Sequence, residues 1–190
     1  VVATAAGTAL GALVTRSSPH PPSSVITGLI LALILWPGFG ADLLILALAG
    51  ATAGLSKYVL VWRGRHILNP AVAGLLVVGL SGAGVSIWWV GSQVLLPVVV
   101  LTGLVVLWRT RRLLFALSYV VPAIALTLIA YVSAGLSLAE AWTFAIGSSP
   151  ILFLGAFMLS EPLTTPPRRW QRYVVGLLVA VISVLPAFSS

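Results

Sequence analysis

Arginine occurs in this chain in four groups, and each group occupies a gap between two apolar runs. The groups are Arg16; Arg63 and Arg65; Arg109, Arg111 and Arg112; and Arg168, Arg169 and Arg172. Between successive groups lies a further gap without any base, with Asp42 and Glu140 at the margins of two of these. The seven gaps cut the chain into eight apolar segments, about 1–15, 25–36, 42–62, 69–81, 88–108, 113–133, 141–160 and 173–188. A membrane-spanning helix needs about 20 apolar residues. Eight successive crossings bring all four arginine groups to one face. Nine of the ten Lys and Arg residues then share that face, which the positive-inside rule makes cytoplasmic. The expected fold is an all-α integral membrane bundle of about eight transmembrane helices. The expected location is the plasma (inner) membrane, multi-pass, with basic loops cytoplasmic. Lys57 alone stands apart, about one turn inside the third segment.

Composition agrees with lipid as the solvent. Of 190 residues, 60% are hydrophobic and 7% are charged, against roughly a quarter charged in soluble domains. The net charge of +7 falls in short clusters with no extended basic stripe, which argues against nucleic acid as a partner. Cysteine is absent, so disulfides, thiolate chemistry and Cys-ligated clusters are excluded within the chain. His20 and His66 lie far apart in sequence, and no metal site is expected. Trp36, Trp62, Trp88, Trp89, Trp108, Trp142 and Trp170 fall at or near segment ends, where amphipathic rings favour the headgroup region. The only charge in residues 1–16 follows the apolar stretch, the reverse of a signal peptide. The expectation is one transmembrane domain, 1–190, taken from a longer chain.

The chain also resembles itself. Residues 23–37 read SSVITGLILALILWP and residues 148–162 read SSPILFLGAFMLSEP. Ser23, Ser24, Ile26, Leu29 and Pro37 recur as Ser148, Ser149, Ile151, Leu154 and Pro162. Chance apolar matches are common, so the Ser-Ser and Pro bookends carry the likeness. With eight crossings the two stretches run in opposite directions, an inverted repeat with halves about 1–87 and 88–190. Twelve helical residues cover about 18 Å, well short of the roughly 30 Å hydrocarbon core. Short helices at matching places in two halves point to a midplane site; the bland alternative is two short, tilted helices. Ser24 and Ser149 suit N-caps, and Pro150 suits a first helical position. The positive ends of these helices could then face an anionic group.

Other polar residues have two readings each. Lys57 either snorkels to the interface or marks an intramembrane functional site. His66 beside Arg63 and Arg65 is either part of a phosphate or carboxylate site or an ordinary loop residue. Asn69 and Pro70 form a helix start that local structure explains. Glu161 either pairs with Arg168, Arg169 or Arg172 or belongs to a site. Thr164 and Thr165 offer hydroxyls beside that basic cluster. Thr27 sits one turn beyond Ser23 in the same short stretch. No nucleophile–base pair, phosphate loop or dinucleotide fingerprint appears.

The blocks SSVITGLILALIL, KYVLVWRGRHILNPAVAG, SIWWVG and GAFMLSEPLTTPP, in that order, resemble a membrane electron-transfer family. The family comprises the membrane proteins RnfD, of the Rnf complex, and NqrB, of the sodium-translocating NADH:quinone reductase. The blocks span residues 23 to 167, and HILNPAVAG and FMLSEPLTTPP are the specific ones. The resemblance implies two inverted repeats in a urea-transporter-like bundle, with a flavin, FMN or riboflavin, between them. It implies electron transfer from a cytoplasmic ferredoxin–NADP reductase-like domain to a quinone or an acceptor across the membrane. Larger members attach FMN to the Thr of a Ser-Gly-Ala-Thr motif; here the corresponding region reads Ser81-Gly82-Ala83-Gly84. The acceptor Thr is absent, so the flavin is expected to be held non-covalently. Ser23, Ser24, Thr27, Lys57, His66, Asn69, Ser148, Ser149, Glu161, Thr164 and Thr165 are the candidate cofactor-binding residues. A small-solute channel or transporter of the same fold without a cofactor is the alternative.

Overall fold

A computed structural model of the chain describes residues 1–35, 41–81, 88 and 91–185. Trp36, Pro37, residues 82–84, Ser86 and Trp89 lie outside them. The chain divides into two compact units, Val1–Val90 and Gly91–Ser190. The first holds helices α1 (Val2–Thr15), α2 (Pro21–Ile34), α3 (Ala41–Val59) and α4 (Pro70–Leu80), with strands β1 (Val61–Trp62) and β2 (Arg65–His66) between α3 and α4. The second holds α5 (Leu96–Thr110), α6 (Leu113–Ser133), α7 (Leu138–Ser148), α8 (Ile151–Met158) and α9 (Arg169–Val184).

Proline and capping chemistry set where these helices start, and they move several expected boundaries. Pro21 and Pro22 occupy the first turn of α2, where a missing N–H costs nothing, so the helix begins before residue 25. Asn69 Oδ1 accepts from Ala71 N (2.9 Å) and Val72 N (3.4 Å) at the start of α4. Helix α5 starts at Leu96 with Pro97 in its first turn, not at residue 88. Ser137 and Glu140 form a capping box that opens α7. Helices α1 and α5 end alike: Arg16 (φ 53°) and Arg111 (φ 55°) take the left-handed conformation. Ser17 N then reaches Ala12 O (2.8 Å) and Arg112 N reaches Leu107 O (3.0 Å), each a Schellman closure. Glycine would fit such a backbone better, but a cation there complements the negative helix end.

The third segment ends before residue 62. Val61 pairs with His66 and Trp62 with Arg65 in a two-residue hairpin. Arg63 (φ 50°) and Gly64 (φ 75°) form its turn, the left-handed pair that such hairpins need. The seventh segment is not one helix. Helices α7 and α8 meet at Ser149–Pro150 with a bend of 45°, and each closes in a wider π-helical turn, Phe144–Ser148 and Leu154–Met158. Helices α3 and α6 are long and apolar enough to cross a membrane, and the bent α7–α8 pair makes a third if it is one span. Helices α1, α2, α4 and α5 are apolar but shorter.

Burial identifies the solvent. The buried set is rich in small residues such as Ala49, Ala53, Ala123, Ala145 and Ala180, each fully enclosed. Large side chains such as Leu44, Leu101, Leu114, Val121, Ile129 and Ile182 face outward. Water would drive the opposite arrangement. Lipid is as apolar as leucine, so helices there associate through small residues that allow close backbone approach. The seam between α1 and α3 is built this way. Gly54 lies so close that a Cβ on it would sit 2.3 Å from Thr4 O, and one on Gly7 would sit 2.1 Å from Ala51 O. The second unit repeats the device, with Gly176 of α9 against Ser118 of α6. The chain is therefore a helical protein associated with the membrane, with the lipid bilayer as its surroundings.

Candidate functional site

Four of the candidate residues meet in the first unit. Lys57, in the last turn of α3, is only 8% exposed. Its Nζ donates to Ser23 O (2.7 Å) and Ser23 Oγ (3.0 Å) in the first turn of α2. The side chain is thus buried and engaged by α2. Thr27 Oγ1 donates to the same Ser23 carbonyl (2.9 Å). Ser24 points the other way and donates to Thr8 Oγ1 of α1 (2.7 Å), both side chains buried. Because the prolines start α2 early, Ser24 lies inside the helix, and the N-cap position falls to His20. Ser24 thus joins α1 to α2 and caps nothing.

Charge in this cluster follows the helix end. Asp42 is the one acid in residues 1–90 and sits in the first turn of α3. At 1.5 Å per residue it lies about 22 Å along the axis from Lys57. The negative end of α3 favours a cation in its last turn, and the Ser23 oxygens carry partial charge only. The cluster borders the seam of Gly, Ala, Ser and Thr between α1 and α3. Thr4, which sequence reading missed, belongs to this seam. Its buried Oγ1 has no hydrogen-bond partner among the described residues and lies against Gly28 and Gly50. The signal was present as Thr4 and Thr8 one turn apart, beside Gly7 and Gly11, on one face of an apolar helix.

The remaining first-unit candidates lie beyond the end of α3. His66 is half-buried in the hairpin, Arg63 stacks over Trp62 with 5.9 Å to the ring centre, and Asn69 is engaged as the α4 cap. In the second unit, Ser148 and Ser149 mark the break between α7 and α8. Ser149 does not cap α8: its Oγ donates back to Ala145 O (2.6 Å), its backbone is extended, and Pro150 takes the N-cap position. The hydroxyl finds an open carbonyl in the wider π turn that ends α7, so it closes that helix and leaves the next one uncapped. Past α8, Thr164 Oγ1 donates to Glu161 Oε2 (3.3 Å) and Thr165 Oγ1 donates to Glu161 O. Arg172 donates to Pro166 O (2.9 Å) and Pro167 O (3.2 Å). Glu161, Thr164 and Thr165 thus form one local turn held beside α9. The described residues contain no group of three His, Cys, Asp or Glu side chains able to hold a metal. Compared with protein-family models, with curated proteins and with solved structures, the chain matches none.

Proposed function

We propose that this chain is the membrane domain of a flavin-dependent electron-transfer protein of the RnfD type, with eight crossings arranged as an inverted repeat. The observation that carries the reading is the buried Lys57 ammonium held by Ser23 at the mouth of a short helix. A flavin, when bound, supplies one- and two-electron chemistry, and its ring gains negative charge on reduction. A fixed cation and a hydroxyl next to the ring edge are groups that tune such a cofactor. Lys57 and Ser23 provide both, and Thr4 Oγ1 offers a further buried polar atom in the same seam. These are the residues that would hold the group in this reading. Ser23 orients Lys57, and the Ser24–Thr8 bond fixes α2 against α1.

The pattern of packing supports the repeat. The offset between the Ser-Ser pairs, 148 minus 23, is 125 residues, and it carries α3 onto α9 and the broken α7–α8 region onto α2. In the first unit the helix before α2 packs most extensively on the helix after it, α1 on α3; in the second, α6 packs most extensively on α9 across α7 and α8. In this reading, electrons enter from a cytoplasmic ferredoxin–NADP reductase-like domain and leave to a quinone or an acceptor across the membrane. An absorbance spectrum of protein purified in mild detergent tests it. Flavin bands at near-stoichiometric amount are expected. A colourless protein that takes up no added FMN or riboflavin overturns the proposal and leaves the solute-channel alternative, which flux into proteoliposomes would reveal.

A further inference from the structure

The second unit contains a basic cleft that the proposed electron-transfer site does not use. It encloses about 840 Å³ where the end of α5 turns into α6 beside the start of α9. Arg109, Arg111, Arg112, Arg169 and Arg172 line it, and among the described residues no acidic side chain does. The N-termini of α6 and α9 add two positive ends to five guanidinium groups, against one negative end, the C-terminus of α5. Arg169 and Arg172 stand in the first turn of α9, where the helix dipole disfavours a cation, so the arrangement calls for an anion. Arg111 supplies its charge from a left-handed backbone position that glycine would fill with less strain.

The lower wall of the cleft is apolar and continues into a groove. Leu104, Leu107 and Leu113 line both the cleft and a second cavity of about 120 Å³ between α5, α6 and α8. That groove reaches Val99 on α5, about 12 Å from Leu107 along the helix. Close approach of α5 to α8 forms its floor, since a Cβ on Gly103 would meet Ala156 Cβ at 2.9 Å. Trp108 and Tyr173 stand at the rim, the ring types that prefer the headgroup level. An anionic head above an apolar tail is the chemistry that fills a basic cleft opening into a hydrophobic groove, and basic pockets between helices on the cytoplasmic side recognise lipid headgroups.

We propose that this cleft binds an anionic phospholipid, with the phosphate among the arginines and an acyl chain along the α5–α6–α8 groove. The test uses the whole chain in neutral detergent, titrated with phosphatidylglycerol or phosphatidylcholine and read by native mass spectrometry. Phosphatidylglycerol should bind in preference to phosphatidylcholine. The double variant Arg111→Gln with Arg169→Gln should weaken phosphatidylglycerol binding about 30-fold, on the scale of surface arginines acting on anionic lipid. Its helical content and unfolding midpoint without lipid should match the unaltered protein. The double variant Arg63→Gln with Arg65→Gln, which removes the same charge from the first unit, should retain the preference. Equal binding of the two lipids, or an equal loss in both double variants, overturns the proposal. Displacement of phosphatidylglycerol by millimolar inorganic phosphate also overturns it, and assigns the cleft to a soluble phosphate.

Discussion

Replacing Gly54 with alanine probes the seam that places Lys57 against Ser23. The added Cβ would lie 2.3 Å from Thr4 O, 2.6 Å from Thr8 N and 2.9 Å from Gly7 C. All three are backbone atoms of α1, so no side-chain rotation relieves the clash. Ordinary contact begins at 3.4 Å, and α1 must therefore retreat by about 1 Å. A gap of that size forfeits between a quarter and a half of each affected dispersion contact, including Gly7 on Ala51 and Gly11 on Tyr58. Overpacking of this kind costs about 1–3 kcal/mol, while alanine regains about 0.5–1 kcal/mol of helix propensity. The expected net loss is about 1–2 kcal/mol. Gly79 on α4 is the control, because no atom of the described residues lies within 4 Å of its Cβ position; Gly79→Ala should gain about 0.5–1 kcal/mol. Unfolding in mixed micelles by graded addition of denaturing detergent, followed by circular dichroism, measures both. The two midpoints should move to opposite sides of the unaltered protein. A Gly54→Ala variant as stable as the original would refute the close α1–α3 approach and the seam built on it.

Three further outcomes are expected. Lys57→Met should leave the protein as stable as the original or more stable, by up to about 1–4 kcal/mol, since a buried charge is often less stabilising than an apolar replacement, while lowering the reduction potential of bound flavin or abolishing its retention; an unchanged potential would remove Lys57 from the site. Protein denatured on a gel should show no flavin fluorescence, because Gly84 stands at the acceptor position; a fluorescent band would contradict non-covalent binding. Accessibility tags after Arg65, Arg111 and Arg168 should all report the cytoplasm and a tag at Gly135 the outside, and a single reversal among the first three would break the eight-crossing topology.

Apolar run length and punctuation carry much of the helical order. The segment 113–133 coincides with α6, and Asn69–Pro70 announces the start of α4. The departures have specific causes. An apolar pattern leaves Pro21 and Pro22 in a gap, yet they are good first-turn residues, so Ser24 falls inside the helix instead of capping it. Ser149 looks back to Ala145 and not forward to α8, a choice set by the π turn, which apolar pattern does not encode. The Gly7–Ala51 contact is hidden for a different reason. When lipid and protein interior are equally apolar, periodicity no longer distinguishes the two faces of a helix, and residue size decides instead. Lys57 leaves both readings open in sequence because its partner, Ser23, is 34 residues away and belongs to another helix.

Charge placement ties these features together. The basic residues gather where the helices meet the arginine-bearing loops, and Lys57 is the one that lies deepest inside the first unit. It stands two helical turns or fewer from the Arg63–Arg65 hairpin. Sequestering an ammonium costs several kcal/mol unless it is well partnered, and a stability-driven sequence would place leucine or methionine there. A lysine held by serine oxygens at the end of α3 is the side chain on which the proposed electron-transfer reading rests. At an effective dielectric constant of about 20, a unit charge about 4 Å away contributes about 4 kcal/mol. That is enough to decide whether an added electron stays on a cofactor in a low-dielectric seam. In the electron-transfer reading proposed above, such a field would favour the reduced cofactor, a use that passage of a neutral solute does not have.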